Sequence, residues 1–155
     1  MNNNDILRRI RYTFDFSDYK MIEIFGHADV LVSRPQVSNW LKKEDDPAYQ
    51  ELNDKELATF LNGLINDRRG KKEGEQAIPE DFLDNNMIFR KLRIALNLKD
   101  DDIMDILKLV DLRIGKHELS AFFRNPSQSQ YRPCQDQFLR NFLHGMQLKY
   151  RGDVK

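Results

Sequence analysis

Apolar residues recur at helical spacing in four segments of the first half of the chain. In the first segment Ile6, Leu7 and Ile10 fall on one face, because residues three and four apart lie on the same side of a helix. The apolar positions of the other three segments are Met21, Ile22, Ile24, Phe25 and Ala28; Val37, Trp40 and Leu41; and Leu57, Phe60, Leu61, Leu64 and Ile65. No stretch alternates apolar and polar residues for long enough to indicate a strand. The pattern predicts four helices.

The second half of the chain repeats this pattern without a gap, 82 residues later. Residues 4–70 align with residues 86–152, and the fourth segments, FLNGL and FLHGM, agree most closely. A chain of 155 residues suits one domain, whereas each half alone is small for an independent core. We therefore predict an all-α fold, a tandem duplication of a four-helix unit packed as one pseudo-twofold helical domain. Its parts are copy one (residues 4–70), an acidic linker (71–85) and copy two (86–152).

Local signals refine this prediction at three places. Ser33-x-x-Gln36 has the spacing of a capping box and predicts the start of the third helix. A short turn is predicted at residues 79–82 of the linker. Gly63 and Gly145 lie inside the fourth helices, where a glycine costs ~1 kcal/mol relative to alanine. A close crossing of the two fourth helices at the pseudo-twofold axis would offset that cost; the alternative is that each glycine ends its helix.

Charge is balanced over the chain but unevenly distributed. The 25 basic and 25 acidic residues give a net charge of zero, so a strong long-range attraction to nucleic acid is not expected. Copy two carries 12 basic and 7 acidic residues, which permits a local basic surface. No apolar run is long enough for a signal peptide or a membrane span. With one cysteine, the sequence predicts a cytoplasmic protein without an internal disulfide.

A basic triplet recurs at matching positions of the two first helices. Its members are Arg8, Arg9 and Arg11 in copy one, and Arg90, Lys91 and Arg93 in copy two. One interpretation is a pair of anion-binding faces. The other is a solvated helix surface with local ion pairs, which is common for charged residues on helices. The triplet alone does not distinguish them.

The second and third helices of copy one resemble a helix-turn-helix. In that arrangement early polar residues of the second helix contact base edges, and nearby cations contact phosphates. The candidate contacts are Arg34, Gln36, Asn39, Lys42 and Lys43, with Lys116 in copy two. The connection HADVLVS is longer than the usual turn, and Pro35 lies where a contact residue is expected. A small helical packing corner is the alternative interpretation.

Little in the sequence indicates catalysis. None of the three histidines is kept in both copies, and none has a metal-ligand spacing. Cys134 follows a proline in a polar loop and is interpreted as an incidental thiol. We predict no catalytic, metal or cofactor-binding residues. Exposed aromatic residues, with Trp40, Tyr49 and Tyr131 as candidates, would instead dock a protein partner or a second copy of the chain. For Trp40 core packing is the favoured interpretation, because it shares the apolar side of its helix with Val37 and Leu41.

Several segments together resemble the YehS-like family of small duplicated bacterial proteins. They are NNDILRRIRYTFDFSDYKMIEIFGHADVLVSRPQVSNWLKKEDD, LATFLNGLI, FRKLRIALNL and FLRNFLHGMQLKYRG. The resemblance implies two copies, a helical fold and a bacterial cytoplasmic setting, and it implies no activity. We therefore expect a non-enzymatic helical binding module with an anionic partner, nucleic acid among the candidates, or alternatively a protein-interaction or assembly module. Any function specific to one copy must lie where the copies differ.

Overall fold

The computed structural model describes residues 1–152, and these residues form helices and connecting loops without a strand. Each helix of copy one begins 82 residues before its counterpart in copy two, so the predicted duplication of a four-helix unit is confirmed. Within the same range no helix is both long and apolar enough to cross a bilayer. The elements are α1 (Asn3–Phe14), α2 (Asp18–His27), α3 (Arg34–Trp40), α4 (Asp54–Arg69), α5 (Asn85–Ala95), α6 (Asp100–Lys108), α7 (Lys116–Ala121), α8 (Asp136–Met146) and a short π-helix (Gln147–Arg151).

Helices α1 to α7 begin where a side chain accepts a hydrogen bond from a backbone amide at the helix start. At α3 the backbone N–H of Gln36 donates to Ser33 Oγ at 3.2 Å, and the N–H of Ser33 donates to Gln36 Oε1 at 2.8 Å. The predicted capping box is therefore confirmed. Asn53 and Glu56 form the same reciprocal pair at the start of α4. These local bonds explain why the helix starts were predictable from the sequence.

The first two helices of each copy end at residues in the left-handed backbone region. Asp15 and Asp29 have φ of 53° and 60°, and their counterparts Asn97 and Asp111 have φ of 53° and 59°. Asp and Asn adopt this region more readily than other residues that carry a Cβ atom. The chain therefore uses the same stop signal at the same two positions in both copies.

The two copies share one hydrophobic core, as predicted. Helix α4 packs against α5 of the other copy, and α1 packs against α8 and the π-helix. Trp40 is 4% exposed and its ring centroid lies 5.4 Å from that of Phe25, so the favoured interpretation of Trp40 as a core residue is confirmed and the docking alternative is excluded. Tyr49 and Tyr131 are half-buried.

Gly63 and Gly145 allow a close helix approach, as predicted, but the predicted partner helix is wrong. A Cβ atom on Gly63 would lie 1.9 Å from the backbone oxygen of Ile24, and one on Gly145 would lie 2.6 Å from the backbone oxygen of Ile106. Both contacts are with the second helix of the same copy. The glycines therefore fix packing within each copy instead of the junction between copies.

A buried asparagine in α1 holds the loop between α3 and α4. The Asn4 side-chain amide donates to the carbonyl oxygens of Trp40 and Gln50 at 2.9 and 2.8 Å. Its oxygen accepts the backbone N–H of Leu52 at 2.9 Å and the hydroxyl of Tyr49 at 3.1 Å. This single side chain satisfies polar groups that the loop would otherwise bury unpaired.

Asn86 makes the equivalent contacts in copy two. It donates to the carbonyl oxygens of Phe122 and Arg132, and its oxygen accepts the backbone N–H of Cys134 at 2.8 Å. Cys134 is 6% exposed and takes the core position that Leu52 fills in copy one. Burial, with the charges of nearby carboxylates, raises the pKa of Cys134 to about 12. A buried thiol with a raised pKa is a poor nucleophile, which agrees with its interpretation as an incidental thiol; its core position was not predicted.

The linker lies against copy one and is shorter by one residue than predicted, because α5 begins at Asn85. The side-chain amide of Asn66 donates to Gln76 Oε1 at 2.8 Å, and the backbone N–H of Leu83 donates to Asp54 Oδ2 at 2.9 Å. Leu83 is buried. Within the predicted turn at residues 79–82, the chain bends at Asp81.

Candidate anion-binding seam between the two copies

The two copies meet along two seams related by the pseudo-twofold axis. In the first, which we call the covered seam, α4 packs against α5 and the linker (residues 71–84) lies over the junction. In the second, the open seam, α1 packs against α8 and the π-helix. Among residues 1–152 no segment equivalent to the linker lies over the open seam. The two seams therefore present the same helices with and without a cover.

The open seam contains a cavity of about 430 Å³ that is open to solvent. It is lined mainly by polar and cationic groups of α1 and α8. The lining residues are Met1, Asp5, Arg8, Arg9, Tyr12, Arg140 and Gln147. Gln147 starts the π-helix, a geometry that is frequent at functional sites. Three guanidinium groups, those of Arg8, Arg9 and Arg140, line this one opening.

Arg9 and Arg140 are the cations of this cavity that lack a carboxylate partner. Neither guanidinium forms an ion pair with any carboxylate in residues 1–152. Partial burial and then the charge of Arg140 lower the pKa of Arg9, while the charge of Asp5 opposes this shift. Arg140 donates only to the neutral oxygen of Gln137, at 3.0 Å. A bound anion would relieve the repulsion between the two guanidinium groups.

Arg8 has a structural role beside this cavity. Its guanidinium is paired with Asp5, one turn earlier on α1, and donates to the carbonyl oxygen of Lys42 at 2.8 Å. Arg90, its counterpart, donates to the carbonyl oxygen of Phe123 at 2.9 Å. Both arginines therefore help to hold the loop after the third helix. Repetition of this residue in both copies is explained by packing.

The other members of the copy-two triplet also contact protein groups. Lys91 is 13% exposed, and its ammonium nitrogen lies 2.7 Å from Asn62 Oδ1 and 3.0 Å from Glu80 Oε1 of the linker. Arg93 pairs with Asp100 at 2.9 Å. Arg11, the counterpart of Arg93, is half-buried and has no ion pair within the described chain. The two triplets thus occupy matching positions but different electrostatic surroundings.

A second group of aromatic and cationic side chains continues from the cavity along α1. The Arg151 guanidinium lies 3.8 Å from the centre of the Tyr12 ring and donates to the Tyr12 carbonyl oxygen at 2.7 Å. Arg68 lies 5.0 Å from the centre of the Phe14 ring. Arg151 also lies 3.7 Å from Asp15, so part of its charge is neutralised within the chain. This group extends the positive surface of the open seam.

The residues of the helix-turn-helix-like segment lie apart from the cavity, since none of residues 34–40 lines it. Arg34 lies 3.3 Å from Asp18, and the side-chain oxygen of Gln36 is used by the capping box. Lys42 donates to Ser38, and Lys116 lies 3.3 Å from Asp101. Asn39 is half-buried and Lys43 is exposed. The structure therefore does not bring these residues together with Arg9.

One cluster has the composition of a metal site. Glu23, His27 and Asp67 each offer a ligand atom, and these atoms lie within 4.8 Å of one another. The ammonium group of Lys20 lies between the carboxylates, 2.6 Å from Glu23 and 2.7 Å from Asp67. Hydrogen bonds to these carboxylates raise the pKa of Lys20, so the amine stays charged. The cluster is accounted for as an ion-pair network that ties α2 to α4.

Sequence comparison of the copies could not identify the open seam from repeated residues, because its distinctive groups are found in one copy only. The signal was present at the positions where the copies differ. The cavity residues and their counterparts at the covered seam are Arg140 and Ala58, Tyr12 and Ile94, and Gln147 and Ile65. Polar side chains at one seam thus replace apolar ones at the other.

These features define a duplicated all-helical protein with one covered and one open seam between its copies. A family model described as a protein of unknown function, DUF1456, matches residues 3–70 and again residues 85–152. The chain belongs to this family. It is 42% identical over 147 residues to the uncharacterized protein YehS of Escherichia coli (strain K12), and the alignment covers 94% of each chain. The resemblance predicted from the sequence is confirmed. No solved structure matches the chain significantly.

Proposed function

We propose that this chain is a non-enzymatic binding module that holds an anionic partner in the open seam, with Arg9 and Arg140 as the contact residues. The observation that carries the proposal is that these two cations line one cavity and that neither forms an ion pair within the described residues. Arg9 is half-buried, so its charge is less screened than that of a surface residue. A planar guanidinium pairs well with carboxylate and phosphate oxygens.

The groups around the cavity favour binding over catalysis. They are guanidiniums, a phenol, an amide and one carboxylate, Asp5, which is already paired with Arg8. No histidine or cysteine lines the cavity in the described chain, and the carboxylate that is present is neutralised. General acid–base chemistry needs a positioned group that exchanges protons near the working pH. The cavity supplies charge and shape instead.

Calorimetric titration with inorganic tripolyphosphate tests the proposal, because this polyanion carries neither a base nor a peptide group. We expect saturable binding that weakens between 50 and 200 mM salt, as screening of the two arginines predicts. The variant Arg9→Gln with Arg140→Ala is expected to bind at least about tenfold more weakly, since each charged contact contributes ~1.5 kcal/mol or more. Alanine is the residue at the counterpart of Arg140.

The matched control removes two positive charges elsewhere. Lys55 and Arg113 are exposed and form no ion pair within the described chain, so Lys55→Gln with Arg113→Gln changes the net charge equally without touching the seam. We expect this control to bind like the unchanged chain. Absence of binding at low salt, or equal weakening in both double variants, would overturn the proposal because attraction would then depend on net charge alone.

The alternative that nucleic acid binds at the third helix is tested by a parallel titration. Mixed-sequence duplex and single-stranded DNA are added to the unchanged chain and to the variant Lys42→Gln with Lys43→Gln. We expect any DNA binding to be lost in the variant Arg9→Gln with Arg140→Ala and kept in the lysine variant. Binding that is lost in the lysine variant and kept in the arginine variant would place the anionic partner at the third helix and contradict the open-seam proposal.

A further inference from the structure

We infer that the partner of the open seam is an acidic polypeptide segment in an extended conformation, lying along α8 as the linker lies along α4. This inference rests on the proposed function and names the chemical class of the anion. The reason is that the chain contains its own example of such a complex. At the covered seam the linker carboxylate of Glu80 lies 3.0 Å from Lys91, and Lys91 is the counterpart of Arg9.

The linker follows a defined path back along α4. Gln76 is bonded to Asn66 near the end of the helix, Glu80 reaches the level of Asn62 through Lys91, and Leu83 donates to Asp54 at the helix start. The segment therefore runs antiparallel to α4, and its seven-residue step from Gln76 to Leu83 covers the length of α4 from Asn66 to Asp54, roughly 18 Å at 1.5 Å per helical residue. An extended segment fits because the junction of two helices forms a long groove.

The open seam keeps one end of this path and changes the rest. The backbone nitrogen of Met1 lies 3.8 Å from Asp136, as the nitrogen of Leu83 lies near Asp54, so Met1 takes the position of Leu83. Farther along the groove, one ammonium group is replaced by the guanidinium of Arg9, and Arg140 adds a second cation. No carboxylate of the described chain takes the position of Glu80. The seam is thus more cationic than its covered counterpart.

An acidic peptide fits this charge distribution better than a nucleic acid does. Nucleic-acid affinity comes from several phosphates neutralised in sequence along a backbone. Here two unpaired guanidiniums flank one opening. The carboxylates of Asp5, Asp15 and Asp136 are already paired, with Arg8, Arg151 and the Met1 nitrogen, so the uncompensated positive charge of the cavity is confined to one point of the groove. A single carboxylate of an extended segment can lie at that point, as Glu80 does at the covered seam.

Fluorescence anisotropy with a labelled peptide of residues 73–84, EGEQAIPEDFLD, tests the inference on the full chain. This peptide has five acidic residues and no basic one. Because the linker is tethered, its high effective concentration keeps the free peptide from the covered seam, and the peptide binds only at the open seam. We expect binding that tripolyphosphate displaces. Replacing the glutamate at the position of Glu80 by glutamine should weaken binding about fivefold to tenfold, the value of one charge-assisted contact.

The variants defined above locate the site. Arg9→Gln with Arg140→Ala should weaken peptide binding at least about tenfold, and Lys55→Gln with Arg113→Gln should leave it unchanged. If tripolyphosphate binds the seam and the peptide does not, the inference fails while the proposed function stands. Tighter seam binding by an oligonucleotide of equal charge would also overturn the inference. If none of the three binds, the proposed function fails.

Discussion

The covered seam and the open seam are built from equivalent helices, and they differ in how their cations are neutralised. At the covered seam Lys91 contacts Asn62 and the linker residue Glu80, and apolar residues fill the remaining surface. At the open seam Arg9 faces Arg140 in a solvent-filled cavity. The comparison teaches that duplication preserved the packing at both seams, while the linker completed only one of them.

The largest expected effect tests whether the two copies pack equivalently beneath the seams. We expect Gly63→Ala to destabilise the fold by ~3 kcal/mol or more, because the new methyl group meets the rigid backbone of Ile24. Gly145→Ala should cost less, since its Cβ would lie 2.6 Å instead of 1.9 Å from the opposing carbonyl oxygen. Urea unfolding followed by circular dichroism measures both changes.

Gly26→Ala is the matched control for these variants. Gly26 lies within α2 with nothing near its Cβ position, and its counterpart in copy two is Lys108. Alanine should therefore stabilise the fold by ~0.5 to 1 kcal/mol through helix propensity. Equal losses at all three glycines would show that helix composition, and not close approach, controls stability.

A second prediction concerns the pH dependence of stability at one core position, which is Cys134 in copy two and Leu52 in copy one. The folded pKa of Cys134 is raised to about 12, above its ordinary value near 9, so its contribution to stability is present below pH 9 and is lost as pH rises towards 12. The loss approaches ~1.4 kcal/mol per pH unit within that window. Cys134→Leu, which installs the residue of copy one, should remove this part of the alkaline loss. Urea titrations of both chains at pH 8 and pH 10 measure it. An equal loss of unfolding free energy between the two pH values in both chains would contradict the burial of the thiol.

A third prediction compares the seams directly. Lys91→Gln should cost ~1 to 2 kcal/mol, because it leaves Glu80 without its counter-charge in a partly buried site. Arg9→Gln should change stability by less than ~0.5 kcal/mol or increase it, since it removes a like-charge contact with Arg140. Thermal unfolding of the two single variants gives both values. A loss for Arg9→Gln as large as that for Lys91→Gln would mean that Arg9 already has a protein partner.

The elements of this fold were predictable because their signals are local. Helix starts depend on residues three apart, such as Ser33 and Gln36, and helix faces depend on apolar spacing. For Gly63 the sequence predicted a close helix approach but not the partner helix, because the identity of that helix depends on tertiary packing. The burial of Cys134 was not predicted, because its neighbours in the sequence are polar. Alignment with Leu52 would have indicated a core position.

The candidate site was only partly predictable, for a different reason. The triplet Arg8, Arg9 and Arg11 drew attention to α1, but repetition in both copies favours residues that serve packing, as Arg8 does. Arg140 was missed because its counterpart is alanine. The role of the linker was also hidden, since an acidic segment with glycine and proline has the composition of an exposed connection.

The most direct test of the account places a linker at the open seam. Residues 73–82 are fused ahead of Met1, which puts a glutamate at the position equivalent to Glu80, and stability is measured in a double-mutant cycle. The cycle pairs that glutamate with Arg9, and a second cycle pairs Glu80 with Lys91. We predict favourable coupling at both seams, ~0.5 to 1 kcal/mol for partly exposed pairs. Favourable coupling between Glu80 and Lys91 with none at Arg9 would contradict the claim that the open seam is a site for an acidic segment.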